Sequence, residues 1–163
     1  MRIKEIYGLC KSGSSTRTLK KLLCGKYIGS GQFRDVYLLK DNPRYVVKID
    51  KGDELAAFPN VTEWRNFVNY ESYKPIGRWL APCIAINKSG SILIQARVTK
   101  AKKYPRRIPA CFIDTKKENF GIYKGRFVCH DYSFLSFKQV SLDLEQVEWW
   151  SIKDIGKTEI YIT

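Results

Sequence analysis

Asp114, Lys116 and Asn119 stand as D-x-K-x-x-N, and a further acid, Asp131, opens the tripeptide Asp131-Tyr132-Ser133. Apolar runs precede both groups, Cys111-Phe112-Ile113 and Phe127-Val128-Cys129. Charged groups held between short apolar strands are costly unless something pairs with them. A metal ion together with a phosphate meets that need. Asp, Lys and Asn are also ordinary turn residues, so the pattern gains meaning only with matching residues upstream. Three such groups occur. Gly29-Ser30-Gly31 lacks the side chains that would keep backbone N–H groups from a phosphate. Lys48 is the one cation in Tyr45-Val46-Val47-Lys48-Ile49, and Glu63 follows it in a helical stretch.

The elements that must position these residues are legible in order. Residues 1–25 read as a helical extension: Ser14, Ser15 or Thr16 caps a helix with Leu19, Leu22 and Leu23 on one face, and Gly25 ends it. Two apolar runs around Gly29-Ser30-Gly31 predict a β-hairpin, with Phe33 at its tip and Val36 after the turn. Asp41-Asn42-Pro43 turns into a strand in which Val46 and Lys48 share a face. An edge-strand lysine facing solvent is the alternative for Lys48. A helix is expected from Asn60 to Tyr73, with Val61, Trp64 and Val68 on its apolar face and Pro75 stopping it. Glu63 on that helix is placed to pair with Lys48. Its rival role is a capping box with Asn60, and Glu71 is the other candidate partner. Leu80–Ile86 and Ser91–Gln95 flank the turn Asn87-Lys88-Ser89-Gly90 and predict a second hairpin. The tail predicts a short helix near residues 142–152 and a final strand. Trp149-Trp150 reads as a packed corner, and His130 as a packed side chain without a catalytic role.

Composition narrows the class. The 163 residues suit one domain or a small two-lobed one, and 44% hydrophobic content supplies a core. No apolar run reaches the roughly 18 residues of a membrane span, and the first residues lack a signal-peptide core. The protein is therefore expected in the cytoplasm. Five cysteines without a C-x-x-C, with a single histidine, exclude the usual zinc patterns. The net charge of +13 favours an anionic partner. The densest basic stretch, Lys100 to Arg107, is broken by Pro105 and reads as an exposed loop. No RNA- or DNA-binding motif accompanies it, and aromatics do not interleave with it as a stacking platform would. A nucleic-acid-binding module is possible on charge but not favoured.

Taken in order, Gly29-Ser30-Gly31, Lys48, Glu63, Asp114…Asn119 and Asp131-Tyr132-Ser133 resemble the protein-kinase superfamily. The resemblance covers residues 26–133. The short spacing, with Asn60-x-x-Glu63-Trp64, Leu80-Ala-Pro-Cys83 and Cys129-His-Asp-Tyr132, is similar to compact kinase-like proteins of bacteriophages and prophages. If phage-encoded, the protein would work in the host cytosol. The resemblance implies an α+β, protein-kinase-like fold: a five-stranded antiparallel N-lobe sheet with one main helix (26–97) and a strongly reduced C-terminal lobe (98–163). It implies ATP and Mg2+ as cofactors. Gly29, Ser30, Gly31 and Val36 would cover the nucleotide, and Lys48, held by Glu63, would bind the α- and β-phosphates. Gln95, Ala96 and Arg97 would form the hinge against adenine. Asp114 would accept the substrate hydroxyl proton, Lys116 would steady the γ-phosphate, and Asn119 and Asp131 would hold magnesium.

The chain departs from the pattern in several places. Arg34 replaces the third glycine, Phe112-Ile113 replace the His-Arg before the catalytic Asp, and Ser133 replaces a glycine. Only 16 residues separate Arg97 from Asp114, with prolines that exclude the usual two helices. Phosphoryl transfer from ATP to Ser/Thr of a protein is the first expectation. A pseudokinase that acts by holding a partner is the second. The loop Lys100–Arg107 is the expected dock for an acidic or hydroxyl-bearing protein, substrate or partner, beside the pocket mouth.

Overall fold

The computed structural model describes residues 1–52, 58–136 and 143–154. Two helices open the chain, α1 (Ile3–Lys11) and α2 (Thr16–Leu23). Ser15 caps α2, its side chain accepting from the Thr18 N–H, one of the donors a helix start leaves unpaired. The predicted end at Gly25 is too late, because Cys24 is already extended and begins β1 (Cys24–Ser30). Leu22 is exposed while Leu19 and Leu23 are buried.

β1 is followed by β2 (Arg34–Leu39), β3 (Tyr45–Asp50), α3 (Pro59–Tyr70), the single turn α4 (Lys74–Gly77), β4 (Cys83–Ile86) and β5 (Ile92–Ala96). The five strands make one antiparallel sheet in the order β1-β2-β3-β5-β4, as expected for the N-lobe sheet. Alternation along β3 divides its side chains between two layers. Val47 and Ile49 join Ile92 and Ile94 in a core closed by Ile6, Cys10, Leu19 and Leu23 of the two N-terminal helices. Each such aliphatic side chain contributes about 1.5–3 kcal/mol on full burial. The first 25 residues therefore complete the core of the sheet. Val46, Lys48, Leu93 and Gln95 occupy the alternate positions.

Helix α3 corrects the expected orientation. Its buried residues are Pro59, Asn60, Glu63 and Asn66, whereas Val68 is exposed and Val61 and Trp64 are half-buried. The inward face is polar because it meets charged partners. Pro75 does not stop α3, which ends at Tyr70. It sits in the first turn of α4, where its missing N–H costs nothing. Phe58, at the N-cap of α3, adopts a left-handed φ of 41° and offers no side-chain cap.

The second half is small. β6 (Thr99–Lys100), β8 (Phe120–Tyr123) and β9 (Arg126–Cys129) form a three-stranded sheet in the order β6-β8-β9, and β7 (Arg107–Pro109) pairs with β10 (Leu144–Gln146). Lys124 and Gly125 turn the β8–β9 hairpin with φ of 48° and 78°, the left-handed pair that a two-residue turn needs. Where a helix near 142–152 was expected, the described part is strand β10 and a 3-10 turn, Ile152–Asp154. The predicted final strand lies outside the described residues. This half is tied to the first by the Ala81 N–H donating to the Cys129 carbonyl at 2.8 Å and the Tyr132 hydroxyl donating to the Ala81 carbonyl at 2.7 Å. Among the described residues no helix is long and apolar enough to cross a membrane.

Candidate nucleotide site

The site is built on a buried ion pair. Lys48, placed by β3, and Glu63, placed by α3, are 3% and 0% exposed, and Lys48 Nζ lies 2.6 Å from Glu63 Oε1. An unpaired charge at that depth would be expensive. Neither the capping box nor Glu71 is the partner: Glu63 points into the sheet, and Glu71 caps the end of α3. Gln95 Nε2 also donates to Glu63 Oε1, at 2.9 Å, and Lys48 donates to the His130 carbonyl.

Arg34 is the residue that sequence reasoning missed. Read only as an absent glycine, it is 6% exposed and joins the network from the start of β2. Its Nη1 lies 2.9 Å from Glu63 Oε2 and 3.3 Å from Asn60 Oδ1, and its Nη2 donates to Asp131 Oδ1. Asn60 Nδ2 in turn donates to the Lys48 and Ser91 carbonyls. The Arg34–Glu63 contact is an ion pair rather than an aligned hydrogen bond, so Glu63 Oε2 has no hydrogen-bond donor among the described residues. A signal was present in the sequence: an arginine at the mouth of an apolar strand, with fewer than the usual glycines beside it, needs a carboxylate partner.

A cavity of about 450 Å³ opens over this network. Of the residues singled out from sequence, Gly31, Val36, Lys48, Gln95, Ala96, Arg97, Asp114, Lys116 and Asp131 line it. Gly29, Ser30, Glu63 and Asn119 do not. Ser30 is turned to Asp35, its hydroxyl 2.8 Å from the carboxylate. The Gly31 N–H donates to the Arg34 carbonyl at 2.8 Å, and neither Gly29 nor Gly31 takes a positive φ. In this arrangement the loop folds on itself. At its tip Phe33 approaches Phe134, ring centroids 6.3 Å apart, which brings the loop against the segment after Asp131.

At the hinge position, the Ala96 N–H donates to the Pro82 carbonyl and the Arg97 N–H to the Arg44 carbonyl, at 2.8 and 2.9 Å. The amides expected to meet adenine are thus already engaged. The Gln95 side chain turns inward, and its Oε1 is buried without a partner among the described residues.

Asp114 is exposed and lies on the loop before a 3-10 turn, Lys117–Asn119. Its Oδ2 accepts from Asn119 Nδ2 at 2.7 Å and its Oδ1 from the Lys116 N–H at 3.3 Å. The loop is anchored from behind, the Thr115 hydroxyl donating to the Glu148 carbonyl at 2.9 Å and the Lys117 N–H to the Trp150 carbonyl at 2.8 Å. Trp149 packs inward as the expected corner, while Trp150 is 40% exposed with Lys116 Nζ 6.0 Å from its ring centroid.

Electrostatics follow from this packing. Burial pushes the Asp131 carboxyl up, but Arg34 and then Lys48 more than offset it and hold the group below its ordinary value. Burial, reinforced by Lys48, pushes the His130 imidazole down to about 4, so it is uncharged at neutral pH. Burial also raises Asp50, to about 6.

Magnesium, implied by the kinase resemblance, would fall to Asn119 and Asp131. The residues as placed do not fit it. Asp131 is paired with Arg34, Asn119 is buried with its amide turned to Asp114, and among the described residues no three His, Cys, Asp or Glu side chains gather in a group able to hold a metal ion.

A second cavity, of about 990 Å³, adjoins the first across Val98 and His130. Lys100, Lys102, Tyr104 and Lys153 line it. The basic loop therefore flanks the neighbouring cavity, with Lys102, Lys103, Arg106 and Arg107 exposed.

No protein-family model matches the chain, and no curated protein matches it. Among solved structures it is similar to the ternary complex of streptomycin, ATP and APH(2'')-IIa, with a TM-score of 0.39 and 20% identity over 53% of this chain and 28% of that one. The chain thus spans less than a third of that protein's length. Likeness at that score carries no inference about activity, which has to rest on the geometry of the pocket.

Proposed function

We propose that the chain is a kinase-like nucleotide-binding protein that takes ATP in the cavity over Lys48 and transfers its terminal phosphoryl group to a hydroxyl acceptor. The observation that carries this reading is Lys48, held 2.6 Å from the buried Glu63, in the wall of a cavity that Asp114 and Asp131 also line. A lysine fixed by a buried carboxylate is a positioned partner for phosphate oxygens, and phosphoryl transfer depends largely on positioning and charge stabilisation. Asp114 is the general base for the acceptor hydroxyl, and Lys116, two residues on, meets the γ-phosphate. Both line the cavity. Ser/Thr of a protein is the acceptor we assign, with the loop Lys100–Arg107 as its dock. Magnesium is left out of this assignment because Asp131 and Asn119 are engaged elsewhere.

A second reading, nucleotide binding without transfer, is favoured by one specific observation: Arg34 already occupies Asp131. Lys48→Met separates both readings from a non-nucleotide role. Either reading expects ATP to raise the melting temperature of the wild type and not of this variant. Ligand at about 100 times its Kd adds about 2.7 kcal/mol. Equal shifts in both proteins would remove the pocket assignment. Transfer is then tested with radiolabelled ATP and a generic protein acceptor. Activity abolished by Asp114→Asn with ATP binding retained supports the enzyme, and no transfer by the wild type supports the binding protein.

A further inference from the structure

Among the described residues six charged side chains line the first cavity, and their balance is cationic: Arg34, Lys48, Arg97 and Lys116 against Asp114 and Asp131. Both carboxylates are already engaged, Asp131 by Arg34 and Asp114 by Asn119 Nδ2 and the Lys116 N–H. Of the two carboxylates only Asp131 is paired with a cation, so the four cations leave the described wall net positive toward an entering anion, with Asp114 the one acidic charge not offset by a cation. A divalent cation meets the opposite, since the half-buried Asp131 is already paired with a guanidinium that would repel it.

Arg34 is suited to the anion in two further ways. It has five N–H donors, and its contacts to Glu63, Asn60 and Asp131 use its two terminal nitrogens. The remaining donors can take a phosphate oxygen without loss of Glu63. It is also fixed, buried to 6% exposure between β2 and α3 while still reaching the cavity, so little side-chain freedom is lost when a ligand binds.

We propose that Arg34 takes the place of a divalent cation, so that the pocket binds nucleotide phosphates without metal, through Arg34 and Lys48 together. The proposal rests on the nucleotide-pocket reading above. Asp131 then serves as the internal counter-ion that Arg34 keeps in the empty pocket, and phosphate competes with it for the guanidinium.

The test is titration calorimetry of the whole chain with ATP, once in EDTA and once in excess magnesium. The proposal expects measurable binding in EDTA, with an affinity within about threefold of that in magnesium. Arg34→Gln should weaken binding in EDTA by about tenfold or more, with Arg34→Lys intermediate. If Arg34→Gln does not fold, Asp131→Asn decides. By releasing Arg34 to the phosphate it should tighten binding in EDTA by about threefold or more, whereas a metal-ligand role for Asp131 would make the same variant lose binding in magnesium. Binding seen only with magnesium, or lost in Asp131→Asn, overturns the proposal and leaves the nucleotide pocket standing. Absence of binding in both buffers, from protein shown to be folded by circular dichroism, overturns the pocket and the proposal together.

Discussion

Around Lys48 the interior is charged; around Phe120 it is aromatic. In the first half, Arg34, Lys48 and Glu63 are each less than a tenth exposed and are paired in charge, with Asn60 and Gln95 adding hydrogen bonds. In the second half, Phe120, Phe127, Trp149 and Tyr104 pack as one group. Phe120 and Phe127 stack with centroids 5.5 Å apart, and Trp149 stands edge-on to Phe120 at 4.8 Å and tilts onto Tyr104 at 5.1 Å. The aromatic group explains how so short a segment is held. Large rings bury much area per residue and prefer these geometries, so a three-stranded sheet can hold Asp114 without the helices usual in a larger lobe. The charged group is different in kind. It stabilises only as a complete set, and removing one member leaves the others uncompensated.

That contrast can be broken at several points. Glu63→Ala leaves Lys48 and Arg34 buried without their shared carboxylate and should cost about 3–5 kcal/mol in urea denaturation. A cost near zero would mean that water or Asp131 substitutes for it. Phe120→Ala opens the aromatic group and should cost about 3–5 kcal/mol, with a change in tryptophan fluorescence from Trp149. If both variants are tolerated, their double variant should be additive within about 0.5 kcal/mol, because the two groups are separate. Coupling well beyond that would show one core rather than two.

Gly121→Ala sharpens the comparison on the aromatic side. A Cβ there would meet the Thr99 carbonyl oxygen at 2.6 Å and Val98 Cγ2 at 2.7 Å. The β6–β8 pairing must open, and a loss of about 1–3 kcal/mol is expected. The same alanine placed at Gly29, where a Cβ meets nothing within 4 Å, should be nearly silent in a melting curve.

The smallest change expected of the charged side is a pH dependence at Asp50. Its folded value, about 6, is raised above the ordinary carboxylate value by burial. The folded state therefore holds its proton more tightly, and stability is lost as pH rises from about 4 through 6. Asp50→Asn, of nearly the same shape and without the charge, removes this penalty. It should be more stable than the wild type by about 1–2 kcal/mol above pH 7, with the difference vanishing near pH 4. A difference independent of pH would assign the effect to packing.

Much of the fold was legible because it is local. The turns at Asp41-Asn42-Pro43 and Asn87–Gly90 mark the strands, and alternation in Tyr45–Ile49 puts Val46 and Lys48 together. The need for a partner to Lys48 was legible for the same reason, since an inward cation on a strand needs an anion and a helix followed with two, Glu63 and Glu71, of which the fold selects Glu63. Helix α3 was misjudged in its facing. Apolar periodicity marks the buried side only when the helix packs on an apolar surface, and here it packs on Lys48 and Arg34.

By itself the sequence determined the order of the first five strands and the helix among them, the turns between those strands, the two carboxylates, Glu63 and Glu71, open to Lys48 and, through the resemblance, the placing of Asp114 and Asp131 near one cavity. Those features depend on neighbours in the chain or on one charge seeking another. Only the tertiary structure decided what Arg34 does, where Asn119 turns its amide and that residues 1–25 close the sheet. The role of Arg34 and the closing of the sheet depend on side chains brought together from distant positions, Arg34 with Asp131 across 97 residues among them, while Asn119 meets Asp114 through the fold of the turn between them. Spacing along a chain cannot say which of several carboxylates a buried guanidinium will meet. Packing decides that, because a buried charge is costly until an opposite one is brought beside it.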